Sequence, residues 1–293
     1  MRKNIAMHFV QAKGILSQNN GMNIYRGCSH GCIYCDSRSK CYGFTHAFED
    51  IEVKENAPEL LEQALRSKRH KCMIGTGAMC DPYLPAEKEL QLTRKCLELI
   101  DRYEYGVTVL TKSNLVLRDL DLLQSIHKKT KAVVQMTLTT YDEDLCRKLE
   151  PNVSTTRERF EVLMRCKELG IPTLVWMTPI LPFINDTREN IEGLLDYCLQ
   201  AGVQGILVFD VGVTLREGDR EYFYQALDRD FPGIRQKYIS AYGNAYDIPS
   251  PHTKELMALI QNTCTANGIL CSPKECFTYL HEFPERYVQQ TLF

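Results

Sequence analysis

The chain has 293 residues, 44% of them hydrophobic and 25% charged, and its 35 Lys and Arg stand against 37 Asp and Glu for a net charge of −2. A chain of this length can bury a large core, and α/β barrels of this size run as one unit. The near-neutral balance excludes a global electrostatic footprint for nucleic acid or an anionic membrane, so any such contact must be local.

Short β-branched runs alternate with longer amphipathic stretches along the chain. Strands are expected at 22–26, 72–77, 107–111, 132–139, 173–178 and 205–209. Helical periodicity falls at 58–70, 86–103, 115–128, 155–169 and 187–201, and three of these stretches run into a glycine stop at Gly106, Gly170 or Gly202. Thr155-Thr156-Arg157-Glu158 and Asp186-Thr187-Arg188-Glu189 both fit the capping box, in which side chains satisfy the first unpaired amides of a helix. Strand followed by helix, repeated, demands a parallel sheet with right-handed crossovers; periodicity leaves open a three-quarter barrel or a doubly wound sheet. Past residue 210 the pattern changes. The expected division is a core over 1–210, a mostly helical C-terminal extension over 211–288 and a tail at 289–293.

The chemistry concentrates in Cys28-Ser29-His30-Gly31-Cys32-Ile33-Tyr34-Cys35, three thiols within eight residues. Thiolate sulfur is the ligand that iron–sulfur clusters require, and gaps of three and two residues let one loop wrap three corners of a cube. With no obvious fourth ligand nearby, one metal position stays free for chemistry. The competing reading is a structural zinc knuckle using Cys28, Cys32, Cys35 and either Cys41 or His30, against which the first gap departs from the usual paired two-residue spacing. Residues at the expected strand ends add to the site. Gly75-Thr76-Gly77-Ala78-Met79-Cys80-Asp81-Pro82-Tyr83 carries small residues that admit a ligand and an Asp81 able to accept hydrogen bonds from an ammonium. Lys112 places a point charge suited to a carboxylate. Thr137 and Thr139 share a face by strand alternation and offer hydroxyls.

The C-x3-C-x2-C spacing, with an aromatic before the last cysteine, resembles the radical S-adenosylmethionine (radical SAM) superfamily. That resemblance implies a partial (β/α)6 barrel, a 4Fe-4S cluster on Cys28, Cys32 and Cys35, and SAM chelated at the open iron. It further implies reductive cleavage of SAM to a 5′-deoxyadenosyl radical, with an electron from a reductant such as flavodoxin or ferredoxin. A narrower resemblance, to the branch related to spore photoproduct lyase, rests on Arg26 to Cys35, Cys80-Asp81-Pro82-Tyr83, Leu110-Thr111-Lys112, Leu149-Glu150-Pro151 and Pro179 to Asp186, which cover most of 24–186. By that similarity Lys112 contacts the SAM carboxylate, Cys80 and Asp81 its amino end, and Tyr34 its adenine side. Cys80 and Tyr83 are the catalytic candidates, Cys80 as hydrogen donor. Two departures stand out: Ala78 occupies the place of that branch's hydrogen-donating cysteine, and Asp36 that of a tyrosine after the third cluster cysteine.

Gln289-Gln290-Thr291-Leu292-Phe293 resembles the bacterial sliding-clamp-binding pentapeptide, with Gln289, Leu292 and Phe293 as anchors; the alternative is a tail folded back on its own helix. Arg66 to Lys71 and Lys128 to Lys131 lie at expected helix ends, where cations offset the dipole. Cys264, Cys271 and Cys276 read as scattered thiols, and the remaining histidines offer no ligand spacing. Thirteen cysteines in a long chain whose start leads into no signal-type apolar run point to a reducing, cytoplasmic compartment, and no apolar stretch suggests a membrane. The expected function is a radical SAM enzyme acting on nucleic acid in a DNA-repair-like, lyase-type reaction, with DNA and the clamp as partners. Alternatives are the same chemistry on a peptide or small molecule, and a zinc-bound adaptor without catalysis.

Overall fold

Aliphatic and β-branched runs without polar alternation fold only where both faces are covered, the condition met by a parallel sheet under helices. The computed structural model describes residues 6–284. The chain opens with β1 (Met7–Val10), β2 (Gly21–Met22), β3 (Tyr25–Arg26) and β4 (Ile51–Lys54), then α1 (Ala57–Ser67). Next come β5 (Met73–Thr76), α2 (Glu87–Leu90), α3 (Leu92–Arg102), β6 (Gly106–Thr111), α4 (Leu120–Lys129), β7 (Ala132–Thr137), α5 (Glu143–Leu149), α6 (Thr156–Glu168), β8 (Thr173–Trp176), α7 (Arg188–Ala201) and β9 (Gly205–Leu207).

Among the described residues the main sheet runs β2-β5-β6-β7-β8-β9, every pair parallel. Each new strand adds to the same edge, so the order never reverses as it does in a doubly wound sheet, and the partial barrel is the architecture. All six residues of β7 are buried. Leu97, Leu123, Leu163 and Leu194 from the helices pack with Ile74, Val109, Val134 and Val175 from the strands in one large core.

Several boundaries differ from the periodicity for local reasons. The expected strand at 22–26 is split: Gly21–Met22 joins the main sheet, while Tyr25–Arg26 pairs antiparallel with β4 in a second sheet, β1-β4-β3. The 86–103 helix breaks at Gln91, whose φ of 53° is left-handed. The break lets the fully buried Glu87 take hydrogen bonds from the Tyr25 hydroxyl, the Thr93 amide and Arg118. Gly106 starts β6 instead of ending α3. The capping box at Thr155 and Glu158 forms. At the next helix the cap is Thr187, accepting from the Asn190 amide at 3.2 Å, one residue later than the pattern, because Asp186 accepts instead from Ser250.

Beyond residue 210 lie β10 (Gly212–Thr214), α8 (Asp219–Asp230), α9 (Ile234–Tyr242), β11 (Asp247–Pro249), α10 (Thr253–Asn267) and α11 (Pro273–His281). The β10–β11 ribbon is antiparallel and absent from the sequence expectation. Phe223 and Tyr238 of α8 and α9 form a second core with Ile33 and Tyr34 of the cysteine loop. Leu256 and Ile260 of α10 enter the main core. Cys276 and Leu280 of α11 pack on Val133, Leu174 and Leu207, which alternate with Val134, Val175 and Ile206 and so face the other side of the sheet. Among the described residues no helix is long and apolar enough to cross a membrane.

Candidate active site

The cysteine loop leaves β3 and is clamped by main-chain hydrogen bonds to two separate segments. The Cys28 amide donates to the Phe48 carbonyl at 2.9 Å, the Ile33 amide to Leu149 at 3.0 Å, and the Asn152 amide to the His30 carbonyl at 3.1 Å. At Gly31 the backbone is left-handed (φ 72°) and a Cβ would lie 3.1 Å from Asn152 Nδ2 and 3.3 Å from Pro151 Cγ, so the loop seats on residues 149–152 only with glycine here. The Leu149-Glu150-Pro151 stretch singled out in the sequence is thus the shelf that carries the loop.

Cys28, Cys32 and Cys35 all line a cavity of about 430 Å³ at the carboxyl ends of the sheet strands. Burial, then the neighbouring Cys35 sulfur, push the Cys28 thiol up to about 12. Burial pushes Cys32 well above the ordinary thiol range despite the opposing Lys112 charge. Three thiols on one loop, all turned into one cavity, are a donor set that fits three corners of a cluster.

The strand ends supply the rest. After β5, Gly77 is left-handed (φ 101°) and a Cβ there would sit 1.9 Å from the Leu110 carbonyl, so the turn packs on β6 without a side chain. Cys80 lines the cavity and donates its thiol to the Gly27 carbonyl at 2.7 Å; burial holds its pKa well above the usual range, so it keeps its hydrogen. Asp81 also lines the cavity, but its carboxylate already accepts from the Tyr83 amide (2.8 Å), the Thr111 hydroxyl (2.7 Å) and the Lys112 amide (2.8 Å), and lies 3.5 Å from His30 Nδ1. It ties the ends of β5 and β6 together beside the cysteine loop.

Lys112 is the one Lys or Arg among the described residues lining the cavity. Burial works against its ammonium, yet the Cys32 sulfur and Glu150 carboxylate hold its pKa above the ordinary lysine value. Its Nζ lies 6.0 Å from the centre of the Tyr34 ring. Tyr34 donates to Glu150, and Glu150 pairs with Arg159, a fully buried arginine that sequence reasoning missed. Burial would raise the Glu150 pKa, but Arg159 and Lys112 and the hydrogen bonds from Arg159 and Tyr34 hold it below the usual glutamate value. The sequence signal for Arg159 was its position in the apolar stripe of α6, beside Phe160, Val162 and Leu163.

Two expected site residues lie elsewhere. Thr137, the last residue of β7, lines the cavity, but Thr139 does not. The strand stops at Thr137 because the Thr139 carbonyl is taken by the side-chain amides of Asn185 (2.8 Å) and Asn190 (3.0 Å), so alternation no longer governs it. Tyr83 is likewise outside the cavity: it is fully buried, and its hydroxyl donates to Asp119 at 3.1 Å. The far wall was not read from the sequence. It comprises Trp176, Phe209, Asp210 and both strands of the ribbon, with Trp176 and Phe209 in edge contact at 6.0 Å. Cys264 and Cys271 interact, but with Cys276 they form no group tight enough for one ion. Gln289, Leu292 and Phe293 lie outside the described residues.

Fold and loop together set the class, an α/β partial barrel carrying three cysteines of one loop at the carboxyl ends of its strands. The Radical SAM superfamily model matches residues 22–198, and the chain belongs to that superfamily, whose members use a 4Fe-4S cluster and SAM. The chain is 29% identical over 249 residues, 80% of its own length and 70% of the relative's, to Uncharacterized protein Rv2578c of Mycobacterium tuberculosis. It is 34% identical over 169 residues, 57% and 62% of the two chains, to Uncharacterized protein MJ0683 of Methanocaldococcus jannaschii. The fold is shared with a spore photoproduct lyase complexed with dinucleoside spore photoproduct, at TM-score 0.66 and 14% identity, over 90% of this chain and 81% of that one. A spore photoproduct lyase mutant with bound AdoMet and the same dinucleoside superposes at TM-score 0.61 and 14% identity, over 86% and 75% of the two chains.

Proposed function

We propose that the enzyme cleaves SAM reductively at a cluster held by Cys28, Cys32 and Cys35 and abstracts hydrogen from a base-bearing nucleic acid substrate, in a lyase-type or repair-like reaction. The observation that carries the reading is the cavity itself, into which one loop turns three thiols while the ends of β5, β6, β7 and β8 present Cys80, Lys112, Thr137 and Trp176. A cluster held by Cys28, Cys32 and Cys35 would supply the one-electron reduction of SAM on which hydrogen abstraction from substrate depends.

The chain's own residues bind and orient. The Lys112 ammonium, held charged by its neighbours, anchors a carboxylate at the end of β6, and the Asp81 carboxylate fixes that strand end by accepting from Thr111 and the Lys112 amide. Cys80 keeps a hydrogen on its sulfur at the cavity wall, where it can return one to a product radical. Trp176, oriented by its indole N–H on Gln135 at 2.8 Å, and the half-exposed Phe209 offer flat faces on which a base stacks. That aromatic wall and the fold shared with the dinucleoside-bound lyase support nucleic acid. A second reading, a peptide or small molecule that is not polyanionic, is favoured by Asp36, Asp210 and Asp247 at the cavity, where among the described residues a phosphate backbone would find no Lys or Arg beyond Lys112. Flavodoxin or ferredoxin is the proposed electron source.

The test is anaerobic reconstitution with iron and sulfide, then SAM and dithionite. 5′-Deoxyadenosine is expected, and its absence from a protein with a full iron complement rejects the reaction type. Deuterium transfer from labelled oligonucleotides into 5′-deoxyadenosine decides the substrate; transfer only from peptide or metabolite pools selects the second reading.

A further inference from the structure

The histidines outside the cysteine loop show no ligand spacing in the sequence, yet the second sheet brings two of them together with a glutamate. β1 and β4 pair in parallel with His8 opposite Glu52. The segment before β4 sets His46 beside them, its ring 4.8 Å from that of His8 and nearly perpendicular to it, at 85°. One ligand atom from each of His8, His46 and Glu52 lies within 4.8 Å of the other two.

An acceptor lies beside Nδ1 of each imidazole. His8 Nδ1 lies 3.1 Å from Asp50 Oδ2, and His46 Nδ1 lies 3.0 Å from the Ala47 carbonyl. An acceptor at Nδ1 draws the proton there and leaves the Nε2 lone pair for coordination, the arrangement that orients ligating histidines. His46 Nε2 is closed off from solvent and makes no hydrogen bond. Such an atom is uncommon in a folded protein and calls for an ion or a water to satisfy it. The Glu52 carboxylate faces it at 4.0 Å, too far for a hydrogen bond. A zinc ion bonded to both at ~2.0–2.1 Å would set the two atoms about 3.3 Å apart, a shift of under about 1 Å for two side chains.

We propose that His8, His46 and Glu52 bind one zinc ion, separate from the cysteine loop, with a fourth position for water. Two imidazoles and one carboxylate are a donor set that zinc takes with three protein ligands, whereas magnesium and calcium require oxygen throughout. The side chains of His46 and Glu52 are each 19% exposed, so the group lies close to the surface. Glu52 is also the register partner of Arg26, two residues before Cys28, so the ion braces the sheet from which the cysteine loop springs.

The test is zinc stoichiometry and affinity, by mass spectrometry of dialysed protein and competition with a chromogenic chelator, on the anaerobically reconstituted full chain. One zinc per chain is expected in the wild type and in the Cys28→Ala, Cys32→Ala, Cys35→Ala triple variant, which loses iron. His46→Ala should weaken zinc beyond the roughly 10–100-fold that loss of an outer partner costs. Glu52→Gln keeps the volume and should also lose zinc; it decides alone if His46→Ala fails to fold by circular dichroism. The proposal is overturned if the wild type takes up no zinc, if its zinc vanishes with the three cysteines, or if zinc persists in Glu52→Gln.

Discussion

Replacing Glu150 with glutamine tests whether the cysteine loop rests on a buried ion pair. The Glu150 and Arg159 side chains are 1% and 0% exposed, and the carboxylate also accepts from Tyr34, whose ring belongs to the loop. Glutamine keeps the volume and an acceptor oxygen but removes the charge. Arg159 then stays buried with the Ser154 and Thr137 carbonyls, at 2.8 and 2.9 Å, the Cys146 sulfur at 3.7 Å, and a neutral amide oxygen in place of the carboxylate. Breaking a buried pair costs ~3–5 kcal/mol, and the surviving carbonyl contacts place this one near the lower end, about 3 kcal/mol. Urea unfolding of metal-free protein, followed by the fluorescence of the single tryptophan, measures it for the wild type, Glu150→Gln, Arg159→Met and the double variant. The double variant should be less destabilised than the sum of the singles by about 2 kcal/mol. The pH dependence has a definite sign. Because the folded Glu150 pKa lies below the ordinary value, the unfolded chain takes up this proton first, near about 4.3. The pair's contribution is therefore complete above that pH and is lost as pH falls through the lower, folded value, so the gap between wild type and Glu150→Gln closes only in acid. A Glu150→Gln cost under about 1 kcal/mol, or coupling to Arg159 under about 0.5 kcal/mol, refutes the reasoning.

Lys112→Met removes the one cation among the described residues lining the cavity and should weaken SAM binding by roughly 10–100-fold, the worth of a hydrogen bond to a charged group, without changing iron content. Equilibrium dialysis checks it, and unaltered affinity would assign the carboxylate to another partner. Cys80→Ala should leave 5′-deoxyadenosine formation intact while substrate-derived product falls, at a stability cost of about 1 kcal/mol for the lost bond to Gly27. Equal product yield in the variant removes Cys80 as hydrogen donor. Tyr83→Phe should cost about 1 kcal/mol and leave the rate of 5′-deoxyadenosine release unchanged, since Asp119 keeps Arg94 and Arg118. A collapse of that rate with the fold intact would return Tyr83 to catalysis.

What could be read from the sequence was what is local. The cysteine loop is a spacing of thiols within eight residues, and the cap at Thr155 and Glu158 is a contact across one helical turn, so neither needs the rest of the chain to declare itself. The central strands stood out because they are buried on both faces and carry little but aliphatic residues, as in β7. The kink at Gln91 left no such trace: a glutamate in a helical pattern reads as solvent-facing, and only Tyr25 and Arg118, far off in sequence, turn Glu87 inward.

The misplaced site residues follow from the same limit. Alternation assigned Thr139 to the cavity on the premise that β7 continues, and what ends β7 there is a pair of asparagines some fifty residues on, which claim the Thr139 carbonyl. Tyr83 follows Asp81 by two positions, but Asp81 bends the backbone onto its own carboxylate through the Tyr83 amide, and the ring is carried away from the cavity into the core. The β10–β11 ribbon is hidden because α8 and α9 separate its two three-residue strands, neither long enough to show a period. The consequence is chemical as well as architectural. The part of the cavity proposed to hold the cofactor is built from short consecutive motifs, whereas the part formed by Trp176, Phe209 and the ribbon is assembled from distant segments. On the proposed reading, reaction type is encoded locally and substrate choice is not, so exchanging the ribbon residues should change which substrate donates hydrogen while 5′-deoxyadenosine formation persists.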